Sequence, residues 1–136
     1  MKSLLLVCGL CLSGLVQAAE LQVRVATVDD TGGQLLLAVF ANEESWKAHQ
    51  TPVAQAHIAA QPGAQDYRFD LPPGRYAVSV IHDSNANQKL DTNFIGMPTE
   101  QYGYSNNPPL RMRMATFEEC AFELPAAGLR QQITLR

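Results

Sequence analysis

From His82 to Asn93 the chain reads His-Asp-Ser-Asn-Ala-Asn-Gln-Lys-Leu-Asp-Thr-Asn, with oxygen-bearing side chains at Asp83, Asn85, Asn87 and Asp91. Carboxylate and amide oxygens at alternate positions, with the main-chain carbonyl of Lys89 filling the one gap, are what a loop needs to wrap a hard cation such as calcium. Two carboxylates would hold such an ion at the modest affinity of extracellular modules, about 0.1–1 mM. Phe94 stands where a helix-loop-helix calcium site has its closing bidentate Glu, and Glu100 replaces that residue only if the following segment folds back. The same residues suit an asparagine-rich turn, in which Asp and Asn oxygens accept from nearby main-chain amides. On the sequence both arrangements stay open.

Phe94, Met97, Tyr102 and Tyr104 follow, interleaved with Gly96, Gly103 and Asn106, in a segment that reaches Pro109 without strand or helix periodicity. Exposed aromatics among small polar residues make a recognition surface, and a loop of this length is more often functional than not. The competing arrangement is a loop that packs its own rings onto the body of the domain, with Glu100 bonding loop amides. His82 beside Asp83, with Glu100 later, has the composition of an acid–base cluster for a small hydrolase. Adjacent strand residues point to opposite faces, however, and the sequence has neither a nucleophile elbow nor a phosphate-cradling glycine loop. The residues expected to meet a ligand or partner are therefore His82, Phe94, Glu100, Tyr102 and Tyr104, with no catalytic residue assigned. His49 and His57 lack a second ligand at metal spacing and read as surface or edge histidines.

The elements that must hold this region are strands. Leu21–Val28 alternates, with Leu21, Val23 and Val25 on one face. After the turn Asp29-Asp-Thr-Gly-Gly33, the apolar run Gln34–Phe40 predicts a central strand buried on both faces. Asn42 caps one helical turn that carries Trp46 to an end of the core. Val53–Ala60 is ambiguous between strand and helix, Asp66–Asp70 is a short strand, and Leu71-Pro-Pro-Gly74 is a tight turn. Arg75–His82 has the strongest strand pattern, with Tyr76, Val78, Val80 and His82 on one face, so Asp83 leaves from the end of a rigid element. Arg111–Met114 reads as an edge strand. Phe117–Leu124 reads as a strand with Cys120, Phe122 and Leu124 inward, and Gln131–Arg136 as the last strand. Short strands separated by Gly and Pro turns predict an all-β fold, an antiparallel β-sandwich with one long elaborated loop.

Residues 1–18 have the layout of an export signal: Lys2, an apolar stretch from Leu4 to Val16, and the small-residue site Val16-Gln17-Ala18. That stretch is too short for a spanning helix, so the expected mature chain, 19–136, is a single domain with no transmembrane segment, periplasmic or secreted. Cys8 and Cys11 fall in the leader, which leaves Cys120 without an intramolecular partner and best read as a buried strand thiol. With 10 basic against 13 acidic residues and no basic cluster, the chain is not a nucleic-acid binder.

Leu71-Pro-Pro-Gly-Arg-Tyr-Ala-Val78, the His82–Asn93 stretch and Gly96-Met-Pro-Thr-Glu-Gln-Tyr-Gly-Tyr-Ser-Asn-Asn107 together resemble a secreted bacterial family, domain of unknown function 2141. The resemblance extends from Leu21 to the C-terminus. Its pattern runs L-P-P-G-x-Y-A, H-D-x-N-x-N-G-K-L-D-x-N and G-x-P-x-E-x-Y-G-F-S-N, and it implies a transthyretin-like or immunoglobulin-like sandwich. Gln88 stands where the family has Gly, at a position that normally needs a sharp turn, and Tyr104 where it has Phe. The family lends no activity. The expectation is an exported, non-enzymatic binding module that uses residues 82–109, with calcium as the structural cofactor of the loop if it has one. Its partner would be a small ligand, a glycan or an envelope protein. A purely structural cell-envelope protein is the alternative, and the hydrolase built on His82 and Glu100 comes third.

Overall fold

The computed structural model describes residues 17–136; the expected leader lies outside them except for its last two positions. Eight strands and two short helices follow in the order β1 (Ala19–Val28), β2 (Gln34–Phe40), α1 (Glu43–Ala48), β3 (Ala54–Ala59), β4 (Gly63–Leu71), β5 (Gly74–Asp83), β6 (Tyr102–Tyr104), α2 (Phe117–Cys120), β7 (Phe122–Leu124) and β8 (Leu129–Thr134). They form a β-sandwich, as the strand pattern predicts. One sheet has the order β4-β1-β8 and the other β3-β2-β5-β6, with β7 pairing the start of β5.

Alternation explains β1: Leu21, Val23 and Val25 are fully buried in the space between the sheets. Opposite them lie Leu35, Leu37 and Val39 of β2 and Val78 and Val80 of β5, also buried, with Ile133 of β8 closing the same core. Removal of this apolar surface from water is the main force that holds the layers together.

Four expectations need correction. The strand buried on both faces is β5 rather than β2, whose Leu36 and Ala38 are only half-buried. In β5, Tyr76, Val78, Val80 and His82 are buried on the face toward the core, and Ala77, Ser79 and Asp83 on the other. The reason is that a second cluster (Phe40, Trp46, Ala77, Ala115, Phe117 and Cys120) covers the outer face at one end of this sheet. Second, the sandwich is not wholly antiparallel, because β8 runs parallel to β1 from Leu21↔Leu129 to Ala26↔Thr134. Third, residues 117–124 are not one strand. Thr116 accepts from the Glu119 N–H while the Glu119 carboxylate accepts from the Thr116 N–H, and this capping box winds 117–120 into a helical turn before β7 begins. Fourth, Arg111–Met114 joins no sheet; Met112 is almost fully exposed, while Arg113 pairs with Glu119 and holds that carboxyl down at about pKa 2.

Elsewhere the local chemistry acts as expected. Asn42 caps α1 by accepting from the Ser45 N–H at 2.9 Å. Trp46 is fully buried, and its indole N–H donates to the Ala115 carbonyl at 2.8 Å, which satisfies the polar end of the ring. The ambiguous segment before Pro62 is strand β3, paired with β2. Cys120 is buried, and desolvation pushes its thiol up to about 12, so it is not a reactive thiolate.

β6 meets the far layer closely at Gly103. A Cβ there would lie 2.8 Å from the Ile133 side chain and 2.9 Å from the Thr134 carbonyl. Gly103→Ala is accordingly expected to destabilise the domain by about 1–3 kcal/mol, the cost of overpacking, read as a lower urea midpoint with an unchanged slope.

Candidate functional site

The loop unit that leaves β5 begins with a buried carboxylate. Asp83 is fully buried; its Oδ1 accepts from the Asn87 N–H at 3.0 Å, and its Oδ2 from the Gln88 N–H at 2.6 Å and the Gln34 side-chain amide at 3.1 Å. A buried carboxylate without such donors would be costly, so these bonds fix the loop's first turn. That turn needs left-handed backbone at Ala86 (φ 56°) and Gln88 (φ 64°). The position where the resembling family has Gly thus makes its sharp turn here with a side chain attached, at a cost of about 1 kcal/mol or more.

Asn85, Asn87 and Asp91 converge. The amide groups of Asn85 and Asn87 donate to the two Asp91 oxygens at 2.6 and 2.7 Å, and these bonds, that from Asn87 first, lower the Asp91 carboxyl below its ordinary range. The Asn85 oxygen accepts in turn from the Asn87 N–H and the Asn87 oxygen from the Lys89 N–H. As an asparagine-rich turn the loop therefore satisfies itself. Asp83 is held by the Asn87 and Gln88 main-chain amides and the Gln34 side chain, its Oδ1 sharing the Asn87 N–H with the Asn85 oxygen, and Lys89 is exposed. Among the described residues no three acidic, histidine or cysteine side chains group as a metal site.

The segment after the loop does fold back. Glu100 bonds both ends of the loop: one oxygen accepts from the Asp91 N–H at 2.9 Å, the other from the Ser84 N–H at 2.6 Å and the Ser84 hydroxyl at 2.9 Å. Both of its oxygens are thereby occupied by loop donors. Gln101, next along, reaches the opposite way, accepting from the Asp29 N–H and donating to the Thr27 carbonyl.

His82 points elsewhere. It is 1 % exposed, with Nε2 2.6 Å from the Gly32 carbonyl and Nδ1 3.3 Å from both the Gln101 amide oxygen and Asp29. It ties the 29–33 turn to the loop's return and offers solvent no surface for a ligand. Its bonds are to Gly32, Gln101 and Asp29, whereas those of Glu100 are to Ser84 and Asp91, so the two expected members of an acid–base pair are committed to different partners. Tyr102 and Tyr104 are not loop residues: they lie in β6, half-buried, opposite Ile81 and Ser79. Tyr104 packs on Trp46 with centroids 5.5 Å apart, and burial raises its phenol to about 12.

Phe94 alone among the expected contact residues stands clear of the body. It is 100 % exposed, followed by Ile95 at 68 % and Met97 at 46 %. The hairpin beneath them is closed by Asn93, whose side-chain oxygen accepts from the Ile95 and Met97 amides at 3.1 and 3.0 Å and whose own N–H donates to the Met97 carbonyl at 2.8 Å. Thr92 bridges Pro98 below, and Gly96 supplies left-handed backbone (φ 83°) at the top. Asn93 and Ile95 did not stand out in the sequence, although Asn two residues before an exposed Ile-Gly is a local turn signal.

Fold and site together define a class: an all-β sandwich with one self-bonded loop unit raised from its central strand. The chain belongs to the family described as "Uncharacterized protein conserved in bacteria (DUF2141)", whose model matches residues 23–132. No curated protein and no solved structure matches the chain.

Glu100→Ala leaves three loop donors without their acceptor. It is expected to cost about 1–3 kcal/mol and to speed hydrogen exchange at the Ser84 and Asp91 amides while leaving the core amides of β1 and β5 protected.

Proposed function

We propose that this protein is an exported binding module with no reaction of its own, and that the tip of the 82–109 loop unit, Phe94 with Ile95 and Met97, is its contact surface. The observation that carries the reading is a fully exposed Phe94 on a hairpin held by Asn93. Burying such a ring on a partner is worth about 1.5–3 kcal/mol, and a hairpin already fixed by hydrogen bonds loses little freedom on binding. A convex apolar tip fits a pocket on another protein better than it fits a small ligand or a glycan, which call for a concave site. The export-signal layout of residues 1–18 makes an envelope protein the class of partner. If the tip contacts a partner, Phe94→Ala keeps the unfolding free energy from urea melts within about 0.5 kcal/mol of the parent. A photo-crosslinking residue at 94 then gives a discrete adduct in intact cells that Ile95→Ser weakens. A fall in stability with no adduct would instead mean that the loop is purely structural.

A weak calcium site at Asn85, Asn87 and Asp91 is a second reading, favoured by the convergence of these side chains and by the left-handed turn at Gln88. Binding would require both amides to rotate so that their oxygens face the Asp91 carboxylate, giving up the bonds from the Asn87 and Lys89 amides. That exchange is consistent with millimolar affinity. Calcium at ten times its dissociation constant should stabilise the mature protein by about 1.4 kcal/mol in thermal or urea melts. Asp91→Ala should abolish the gain, and absence of any response to millimolar calcium would exclude the site.

A further inference from the structure

The register of the larger sheet sets three rows of side chains next to one another on its outer face. Leu36 lies opposite Ile81, Ala38 opposite Ser79 and Phe40 opposite Ala77, and His57 and Gln55 of β3 continue the first two rows. Residues paired in this way share one face of the sheet. Ala38 and Ser79 are small, and they stand between the larger Leu36–Ile81 row and the Phe40 ring. The result is an open hollow of about 280 Å³, close to the lower limit of the roughly 300–1,000 Å³ typical of small-molecule sites. His49, Pro52 and Gln88 line it from outside the strands.

Three features of this hollow point to an occupant. The first is on its floor. Ser79 is 3 % exposed, yet its hydroxyl makes no hydrogen bond to any described residue. Every fully enclosed side-chain polar atom of the described residues does have a partner, so the Ser79 Oγ opens into the hollow that the residue lines. A hydroxyl this deeply set is stabilised by a hydrogen-bond partner, and the hollow is where one can enter. The second feature is charge. No Lys, Arg, Asp or Glu is among the described residues that line the hollow, so a charged ligand would lose its hydration there without meeting a counter-charge. The third is Gln88, whose left-handed backbone (φ 64°) glycine would adopt without strain. The side chain kept at that cost lines the hollow.

We infer that this hollow is a binding site, separate from the Phe94 tip, for a small uncharged aromatic molecule that bears a hydroxyl group. A flat ring fits a slot between two rows of larger side chains, with apolar contact from Leu36, Ile81 and Phe40 and its hydroxyl bonded to Ser79. The amides of Gln55 and Gln88 and the imidazoles of His49 and His57 are then at hand for polar groups elsewhere on the molecule. Phe94 does not line the hollow, so the inference does not rest on the role proposed for the tip.

Titration of the isotope-labelled mature protein with p-cresol, followed by NMR, should give saturable shifts at Ala38, Ser79, Ile81 and Gln88. The dissociation constant should be about 1 mM, as suits so small a ligand. p-Toluate and p-methylbenzylamine, which carry a negative and a positive group on the same ring, should bind about tenfold more weakly. Ser79→Ala should raise the p-cresol dissociation constant about fivefold, through loss of one hydrogen bond. Gln88→Gly should raise it about threefold while the urea midpoint holds or rises, since the strain is relieved. Phe94→Ala should leave p-cresol binding unchanged. Absence of saturable shifts with p-cresol would overturn the inference and leave the Ser79 hydroxyl to water. Equal affinity for the three probes would overturn it as well, by showing an apolar face without selection for an uncharged ligand. So would p-cresol affinity that is unchanged in both Ser79→Ala and Gln88→Gly, by placing the ligand elsewhere.

Discussion

The whole loop unit depends on one buried carboxylate. Asp83 ends β5, the strand with both faces covered, so its charge lies where water cannot solvate it. Gln34 from the neighbouring strand and the amides of Asn87 and Gln88 replace that water. Because two of these three donors are main-chain groups of the loop, satisfying the carboxylate also folds the loop. The strained backbone at Gln88 persists because the bond to Asp83 holds it there.

From that anchor, order passes outward through short-range bonds and one long-range return. Glu100 joins the two ends of the 84–91 loop, and Gln101 and His82 fasten the returning chain to the 27–33 turn. The result is a raised structure in which polar atoms are mutually satisfied while apolar Phe94, Ile95 and Met97 are left in solvent. Surface apolar residues scattered singly need no explanation, but three on one hydrogen-bonded hairpin concentrate interaction free energy at a point.

The edges of the sandwich follow the same economy of local means. Cross-layer bonds close the β6–β8 side, charges protect β4, and the Gln65 side chain of β4 takes up the Ala59 carbonyl on the edge of β3.

Much of the fold was legible in neighbouring residues. The alternation of Leu21, Val23 and Val25, the pattern Tyr76, Val78, Val80 and His82, and the Asn42 cap all rest on geometry within a few positions. The capping box at Thr116 and Glu119 is equally local, but the alternation of Cys120, Phe122 and Leu124 on which the strand expectation rests does not include it. What no spacing could specify was decided by residues far apart. These include the cover that Trp46 and Phe117 place over β5, the parallel alignment of β8 on β1, the return of Glu100 to Ser84, and the placing of Tyr102 and Tyr104 in a strand. The sequence by itself determined which segments extend, where they turn, and that oxygen-bearing side chains gather after His82. Only the tertiary structure decided which oxygens are buried and which ring is left in water, because that depends on packing between segments that the local pattern does not encode.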